Sequence, residues 1–256
     1  MAELGWLLVP VSGGVFLALL LVPLGFQVIA RGAVFADLAI AQWAALGALV
    51  GHYLPVAGAL AGISPFSLLA GLASAWLVHR VVRQPRRMRQ ALIGILYVAG
   101  ANLAILVVSS DPHGAQALHR AASGDLLWAG HGPVLAVAVL ALLVWALMRW
   151  QPGWLAGNWF MPVFAVAVTW SVALAGIYVV FALLIITPLL QGELDGRGYL
   201  PALVCAVSGV LSGIALSVLV DLPVGPAIVL MVLLISLLAG AEKRVKNFTR
   251  RRLRLH

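Results

Sequence analysis

One carboxylate lies within an apolar segment of this chain. Asp37 stands in RGAVFADLAIAQWAALGALVG, which is long enough to cross a bilayer as a helix of ~20 residues. Ionisable groups are costly in hydrocarbon, so Asp37 is a candidate ligand for a cation on a path through the membrane. The alternative is a structural cap or an ion pair with Arg31. The helical face of Asp37 continues through the small residues Ala41, Ala44, Ala48 and Gly51, which leave space for another backbone or for a path.

A second candidate for this path is an amide. Asn102 lies in the apolar segment GILYVAGANLAIL, where its side chain either donates a carbonyl oxygen to a cation or forms a hydrogen bond between helices. Gln42 is five residues after Asp37, about 140° around a helix, so these two cannot chelate one ion from one face. We therefore predict a metal or substrate pathway that includes Asp37 and Asn102.

Further metal-ligating side chains lie between the apolar segments, on one side of the predicted bundle. The candidates for an outer mouth are His52, Asp111, His113 and His119. Imidazole and carboxylate suit borderline divalent cations, and a loose array of weak ligands could receive an ion without trapping it. The alternative is that each is an ordinary solvated loop residue.

The composition places these residues in a membrane protein. Of the 256 residues, 63% are hydrophobic and 9% are charged. A chain of this length has room for about eight or nine crossings with short loops between them. No stretch remains for a nucleotide-binding or soluble catalytic domain, and the P-loop, zincin and hydrolase motifs are absent from the sequence. We therefore expect a protein that is not an enzyme, with any ATP hydrolysis in a separate subunit.

The apolar segments predict an all-α polytopic membrane protein with about eight or nine membrane segments. They run at about 5–28, 33–55, 57–78, 90–109, 133–149, 160–175, 177–190, 200–220 and 225–241. The run from Phe160 to Leu190 is too long for one upright helix and short for two. Gly176 and Pro188 favour a crossing followed by a broken or re-entrant return. Residues 1–241 form the predicted transmembrane domain and residues 242–256 a basic tail.

The basic residues orient the chain. Fifteen of the 16 Lys and Arg residues fall on one side of the predicted bundle, and Arg120 alone falls on the other. By the positive-inside rule, the amino terminus is then outside, the carboxyl terminus is cytoplasmic and the number of crossings is odd. The tail KRVKNFTRRRLRLH is expected to contact anionic membrane lipids and no nucleic acid.

Four stretches, in the same order, resemble the permease subunits of the bacterial ABC importers for zinc, manganese and iron. VIARGAVFADLAIAQWAALG holds the arginine and aspartate positions of the family's second-helix motif, at Arg31 and Asp37. RQALIGILYVAGANLAILVVSSDPHGAQALHRAASGDLLW is similar to the family's A-x-I-G-I-L-Y, S-P-H-G and G-D-I-L stretches. LLIITPLL and VLVDLPVGPAIVLMVLLISLL resemble its L-L-V-x-P and D-L-P-x-G-x-x-I-V-L stretches. The resemblance covers most of the chain.

The resemblance implies a permease subunit that moves a divalent metal ion, zinc first and manganese next, into the cytoplasm. It implies a homodimer in the bacterial inner membrane, an ABC ATPase subunit on the cytoplasmic face and an extracytoplasmic metal-binding protein outside. Asp37 would bind the transported ion transiently, and no cofactor would be held permanently. The alternatives are a permease of similar architecture for an iron chelate or cobalamin, and a transport-deficient assembly subunit.

The chain departs from the family pattern in two places. The family's histidine, four residues after the aspartate, is Ala41 here, so only Asp37 is carried over. After Arg149 the family has an acidic segment that docks on the ATPase, whereas WQPGWLAGNWFMP is shorter and has no acidic residue. Its aromatic residues, Trp150, Trp154, Trp159 and Phe160, predict a cluster that either fills a groove on a partner or sits in the membrane interface. The ATPase-contact candidates are Pro152, Trp154, Arg86 and Arg87.

Overall fold

The structure is a computed structural model, and the chain is built from helices. It describes residues 6–54, 63–124, 126–151, 153, 154, 157, 159–191 and 199–253, and for Arg86 and residues 244–253 it describes the backbone only. The α-helices in these ranges are α1 (Leu8–Ala30), α2 (Ala36–Tyr53), α3 (Pro65–Val82), α4 (Arg86–Val108), α5 (Gly114–Ser123), α6 (His131–Trp150), α7 (Phe160–Phe181), α8 (Thr187–Gln191), α9 (Tyr199–Val220) and α10 (Val224–Leu253). These ranges contain no β-strand, and the predicted all-α class is confirmed.

Seven elements are long and apolar enough to cross a membrane, judged by length and composition. They are α1, α3, α4 from Arg87, α6, the 32-residue element Phe160–Gln191, α9, and α10 as far as Lys243. α2 is not among them, because Asp37, Gln42 and His52 lower its hydropathy. It nevertheless packs inside the described bundle, against α3, α4 and α7. The predicted polytopic membrane protein is confirmed, with α2 sheltered by its neighbours.

The element Phe160–Gln191 turns back on itself at Gly176. The backbone of Gly176 leaves the helical region, with φ +81° and ψ +168°. Three contacts with α1 show the reversal: Phe160 lies next to Arg31, Leu174 next to Gly13, and Leu184 next to Gly25. The predicted crossing with a broken return is therefore confirmed. With α2 included and this element counted twice, the described helices match the predicted eight or nine membrane segments.

The returning half of this element is irregular. Its residues Ala182–Ile186 form a π-helical stretch between α7 and α8. Pro188 has no N–H to donate to the carbonyl of Leu184, four residues earlier, so the α-helical ladder is interrupted here. The Leu184 carbonyl instead packs against Gly25 of α1, at a distance that no side chain at Gly25 would allow. Gly25 of the neighbouring helix α1 thus leaves space for the Leu184 carbonyl at the break in the helix.

The bundle has two chemically different ends. We name the end that holds Arg31, Arg83 and Arg89 the basic end. The other end, which holds Asp111 and His113, is named the opposite end. α5 lies at the opposite end, where its last residues pack against Gly176.

Substitution of Gly176 by alanine should destabilise the fold. A side chain at this φ and ψ costs roughly 1–3 kcal/mol in backbone strain, and the added methyl group would collide with the backbone of Ser123 and Gly124. We expect a lower melting temperature in detergent. Gly94→Ala is the matched control, since nothing lies within 4 Å of a methyl group added there. Equal melting temperatures for the two variants would contradict the turn at Gly176.

Candidate functional site

Asp37 is buried in the first turn of α2, where it is 1% exposed. The backbone N–H groups of Asp37 and Leu38 face the carboxylate. However, no donor among the described residues reaches hydrogen-bonding geometry with either oxygen. No described residue forms an ion pair with Asp37, so the alternative of a pair with Arg31 is not supported. A buried polar group without a protein partner is rare, and a bound water or ion is a usual explanation.

Two side chains of α4 hold the start of α2 in place. Arg89 Nη1 donates to the carbonyl oxygen of Arg31 at 2.6 Å. Gln90 Nε2 donates to the carbonyl oxygen of Gly32, also at 2.6 Å. Both carbonyls belong to the turn between α1 and α2, in which Gly32 has φ +63°. Arg89 is one of the fifteen basic residues that predict the orientation of the chain, and in the structure it positions the turn that precedes Asp37.

The structure does not bring Asn102 next to Asp37. Asn102 lies on an exposed face of α4, and its Nδ2 donates to the carbonyl oxygen of Val98 at 2.8 Å. α2 and α4 run in the same direction, and Trp43 Nε1 donates to the Leu96 carbonyl at 3.0 Å. Asn102 is therefore further towards the opposite end than Trp43, while Asp37 is further towards the basic end. Asp37 is therefore buried near the basic end, whereas Asn102 is exposed on α4 and lies nearer the opposite end.

Three of the four outer-mouth candidates form one cluster at the opposite end. Tyr53 Oη donates to Asp111 Oδ2 at 2.6 Å, and the N–H of His113 donates to Asp111 Oδ1 at 2.8 Å. The His113 ring nitrogen Nδ1 lies 3.8 Å from Oδ1, and the His52 ring packs edge-on against Tyr53. The hydrogen bond from Tyr53, followed by that from His113, lowers the pKa of Asp111. The cluster is not a closed metal site, since the described residues contain no group of three or more suitable His, Cys, Asp or Glu ligands.

His119 lies apart from this cluster. It lines a groove of about 380 Å³ between α2, α4, α5 and α7, together with Gln42 and Tyr178. Its Nε2 is 3.4 Å from Oγ of Ser123, one turn later on α5. The groove therefore offers an imidazole, an amide and a phenol to a ligand that approaches from the opposite end.

Comparison with known families decides the class of this protein. The sequence profile of the ABC 3 transport family matches residues 6–156, which is more than half of the chain. The chain belongs to the ABC 3 transport family. The predicted resemblance to the permease subunits of the metal-ion ABC importers is therefore confirmed. This protein is the membrane permease subunit of an ABC transporter.

A solved structure shows the same fold as this ABC 3 permease. PsaBC from Streptococcus pneumoniae in complex with Fab matches with a TM-score of 0.70, and the match covers 92% of this chain and 91% of that chain. The two sequences are 14% identical, so the match is evidence for the fold. A search of curated proteins found no match to the sequence.

The residues expected to meet an ATPase are only partly described. Pro152 lies outside the described residues, and the side chain of Arg86 does too, while Arg87 is exposed. Trp154 packs half-buried against the permease's own core. Trp150 and Trp159 are 79% and 77% exposed, whereas Phe160 is fully buried beneath Arg31. The predicted aromatic cluster is therefore divided into two exposed and two packed side chains.

Four buried hydroxyls in the permease interior have no hydrogen-bond partner among the described residues, and none of them was predicted from the sequence. Ser74 of α3 and Thr169 of α7 are almost completely buried, and neither hydroxyl has a hydrogen-bond partner among the described residues. Polar residues within apolar segments were the available signal. The sequence did not show that their helices pack against the face of α2 that carries Asp37.

Substitution of Tyr53 by phenylalanine should raise the pKa of Asp111 towards its ordinary value, because the phenol donates to the charged carboxylate. The folded-state pKa is depressed, so this contact stabilises the fold above the unfolded pKa of ~3.9, and the effect disappears as the pH falls through the folded pKa. Carbon NMR of labelled aspartate in wild type and Tyr53→Phe measures the shift. An unchanged titration would contradict the Tyr53–Asp111 hydrogen bond.

Proposed function

We propose that this permease imports a divalent metal ion, with zinc and manganese as the candidates. The observation that carries the proposal is the buried carboxylate of Asp37, which has no donor in hydrogen-bonding geometry and no ion-pair partner among the described residues. A charged carboxylate in the membrane interior is energetically unfavourable, and a transported cation would neutralise it when bound. The cation is the cargo, and the permease holds no permanent cofactor and performs no bond chemistry.

We propose a transport cycle with alternating access to the two sides of the bacterial inner membrane. The basic end would face the cytoplasm and a separate ABC ATPase, and the opposite end would face an extracytoplasmic metal-binding protein. The amino terminus would be outside and residues 242–256 would form a cytoplasmic tail against anionic lipids. ATP-driven closure of the ATPases would open the path alternately to each side.

A second copy of the chain would pack against α4. Ile95, Val98 and Asn102 are exposed along this helix, and the space beside Gly94 is open. An amide on an otherwise apolar exposed surface is costly in lipid but can be satisfied between two protein chains. In this arrangement Asn102 would line the part of the ion path that lies between the two copies, while Asp37 would lie within each copy.

The alternatives remain testable against this proposal. A permease for an iron chelate or cobalamin would need a wide pathway. A carboxylate that is buried in the first turn of α2 would have no role in such a pathway. A transport-deficient assembly subunit is suggested by the short segment after α6 and by Ala41. Metal-stimulated ATP hydrolysis by the purified complex would exclude the assembly role.

Substitution of Asp37 by asparagine should abolish most metal uptake while the protein remains folded. The amide has a similar volume but lacks the charge that attracts a divalent cation. Uptake of Zn²⁺ and Mn²⁺ by cells that express the complete importer measures the effect. Asp221→Asn is the matched control, because Asp221 is exposed and its φ of +56° also suits asparagine. Normal uptake by folded Asp37→Asn would exclude Asp37 as an ion ligand.

Substitution of Trp159 by alanine should weaken the ATPase complex without destabilising the permease. Trp159 is exposed beside the basic end, and loss of an aromatic anchor at a protein contact typically costs ~2 kcal/mol or more. Trp154→Ala should instead lower the melting temperature of the permease, because Trp154 packs on its own core. Co-purification of the ATPase and the melting temperature separate the two effects.

If Trp159→Ala retains its full complement of ATPase and unchanged coupled hydrolysis, Trp159 is an anchor in the membrane interface. The start of α4, with Arg86 and Arg87, would then be the coupling element. Substituting Arg87, which is exposed on α4, would test that assignment directly.

A further inference from the structure

One face of α3 changes from apolar to basic as the helix approaches the basic end. Its residues recur at spacings of three and four, which places them on the same side of a helix. They are Leu72, Ala75, Trp76, His79, Arg80 and Arg83, the last of which caps the helix. Arg80 and Arg83 are exposed, and neither forms an ion pair with an acidic residue of the described chain. The sequence itself has no Asp or Glu between Asp37 and Asp111, so this face carries positive charge without a nearby acidic residue in the sequence.

A cleft lies beside this face, between α3 and the start of α7. Its volume is about 120 Å³, and it is lined by Leu72, Ala75, Trp76, His79, Met161 and Pro162. Trp76 and Pro162 are exposed, so the cleft opens at the surface of the described bundle. Nearer the middle of the bundle the two helices are in close contact, because Gly71 of α3 lies against Thr169 of α7. α3 and α7 therefore separate towards the basic end and leave a largely apolar space between them.

Each arginine of this face contacts a residue that lines the cleft. The guanidinium carbon of Arg80 lies 4.8 Å from the centroid of the Trp76 ring. Arg83 Nη2 lies 3.1 Å from Nε2 of His79. A guanidinium can only donate, so Nε2 is the acceptor and the imidazole in this contact is neutral. Both positive charges are therefore held beside the cleft, one by an aromatic face and one by a ring nitrogen.

The position of the cleft along α3 is typical of a membrane interface. α3 is long and apolar enough to cross a membrane, and its exposed side chains Leu69, Trp76 and Leu77 precede Arg80. Tryptophan is enriched at the depth of the lipid headgroups, and a long arginine side chain places its charge on the aqueous side of that level. An apolar space next to fixed positive charge is complementary to a lipid that has an acyl chain and a negatively charged headgroup.

We propose that this cleft binds one anionic phospholipid, with an acyl chain against Leu72 and Met161 and the phosphate beside Arg80 and Arg83. Basic pockets between membrane helices bind anionic lipid headgroups in this way. A zwitterionic lipid has the same chains but no net charge, and free phosphate has the charge but no chain. The proposal does not depend on which ion is transported or on which side of the membrane the basic end faces.

The bound lipid would join α3 to the start of α7. Met161 and Pro162 are the second and third residues of α7, and they follow the segment that is expected to meet the ATPase. A ligand that binds the folded protein and not the unfolded chain raises the melting temperature. Anionic phospholipid should therefore stabilise this permease more than zwitterionic phospholipid does.

The complete importer, reconstituted in nanodiscs of phosphatidylglycerol or of phosphatidylcholine with the same acyl chains, tests the proposal. Native mass spectrometry counts the lipids retained by each complex, and the melting temperature is measured in both lipids. Arg80→Gln and Arg83→Gln each remove one charge beside the cleft while Trp76 and His79 stay in place. Arg149→Gln is the matched control, because Arg149 is exposed near the end of α6 and its loss removes the same charge from another helix. Glycerol 3-phosphate, which has the anionic headgroup without a chain, is added as a competitor.

We expect wild type to retain phosphatidylglycerol in preference to phosphatidylcholine and to melt at a higher temperature in the anionic lipid. Arg80→Gln and Arg83→Gln should each weaken retention of phosphatidylglycerol by roughly fivefold, the effect of one arginine at a lipid surface. Their melting temperatures in phosphatidylcholine should equal that of wild type, because both side chains are exposed. Arg149→Gln should retain phosphatidylglycerol as wild type does, and glycerol 3-phosphate should not displace the lipid.

Four outcomes would overturn the proposal. Equal retention of the two lipids by wild type, or an equal loss of retention in Arg149→Gln, would show general attraction of the basic end to anionic lipid. Displacement by glycerol 3-phosphate would show a site for free phosphate. No retention of phosphatidylglycerol by the complete importer would show that the ATPase covers the cleft. A disulfide-linked dimer of Ala73→Cys, made in a Cys205→Ala background, would place a second copy of the chain on this face, since Ala73 is exposed beside Trp76.

Discussion

In a hydrocarbon interior every polar group must find its partner within the protein, and the described fold depends on this constraint. Several side chains meet it by donating to main-chain carbonyls of another helix. The pairs are Trp43 with Leu96 at 3.0 Å, Trp145 with Leu19 at 2.9 Å, and Gln191 with Ser236 at 3.0 Å. Such bonds fix the position of each helix along its neighbour. Arg89 and Gln90 apply the same principle to the turn before α2, which sets where Asp37 enters the interior.

Asp37, Ser74 and Thr169 are among the exceptions to this rule in the described residues, together with Trp170, Ser171 and Ser236. Asp37 shares one face of α2 with Ala41 and Ala44, and Ala44 meets Gly71 of α3 beside the Thr169 hydroxyl. A buried carboxylate such as Asp37, which has no hydrogen-bond partner or ion pair among the described residues, is unfavourable unless a proton or a bound ion neutralises it.

The sequence predicted what depends on local patterns. Apolar runs placed the helices, and the glycine within the run from Phe160 to Leu190 predicted the return at Gly176. It could not predict which faces meet, because helical periodicity defines a face but not the neighbour that covers it. Thr169 was therefore overlooked, and Asn102 was grouped with a carboxylate that lies elsewhere. In the cluster at the opposite end, the Asp111–His113 contact is local, but the partner Tyr53 is 58 residues away in the chain.

The return at Gly176 gives one continuous element two roles. Its first half places the Thr169 hydroxyl beside Gly71 of α3, and its second half ends at Gln191, which bonds to α10 and accepts a hydrogen bond from Lys243 at 3.3 Å. Both halves pack against α1, but along the backbone they are joined only through the non-helical residue Gly176. A displacement of α8 at the basic end can therefore reach the first half of the element by two routes, through Gly176 or across α1. The close contact of Gly25 with the Leu184 carbonyl makes α1 the stiffer route, because a backbone-to-backbone contact has no side chain that can yield.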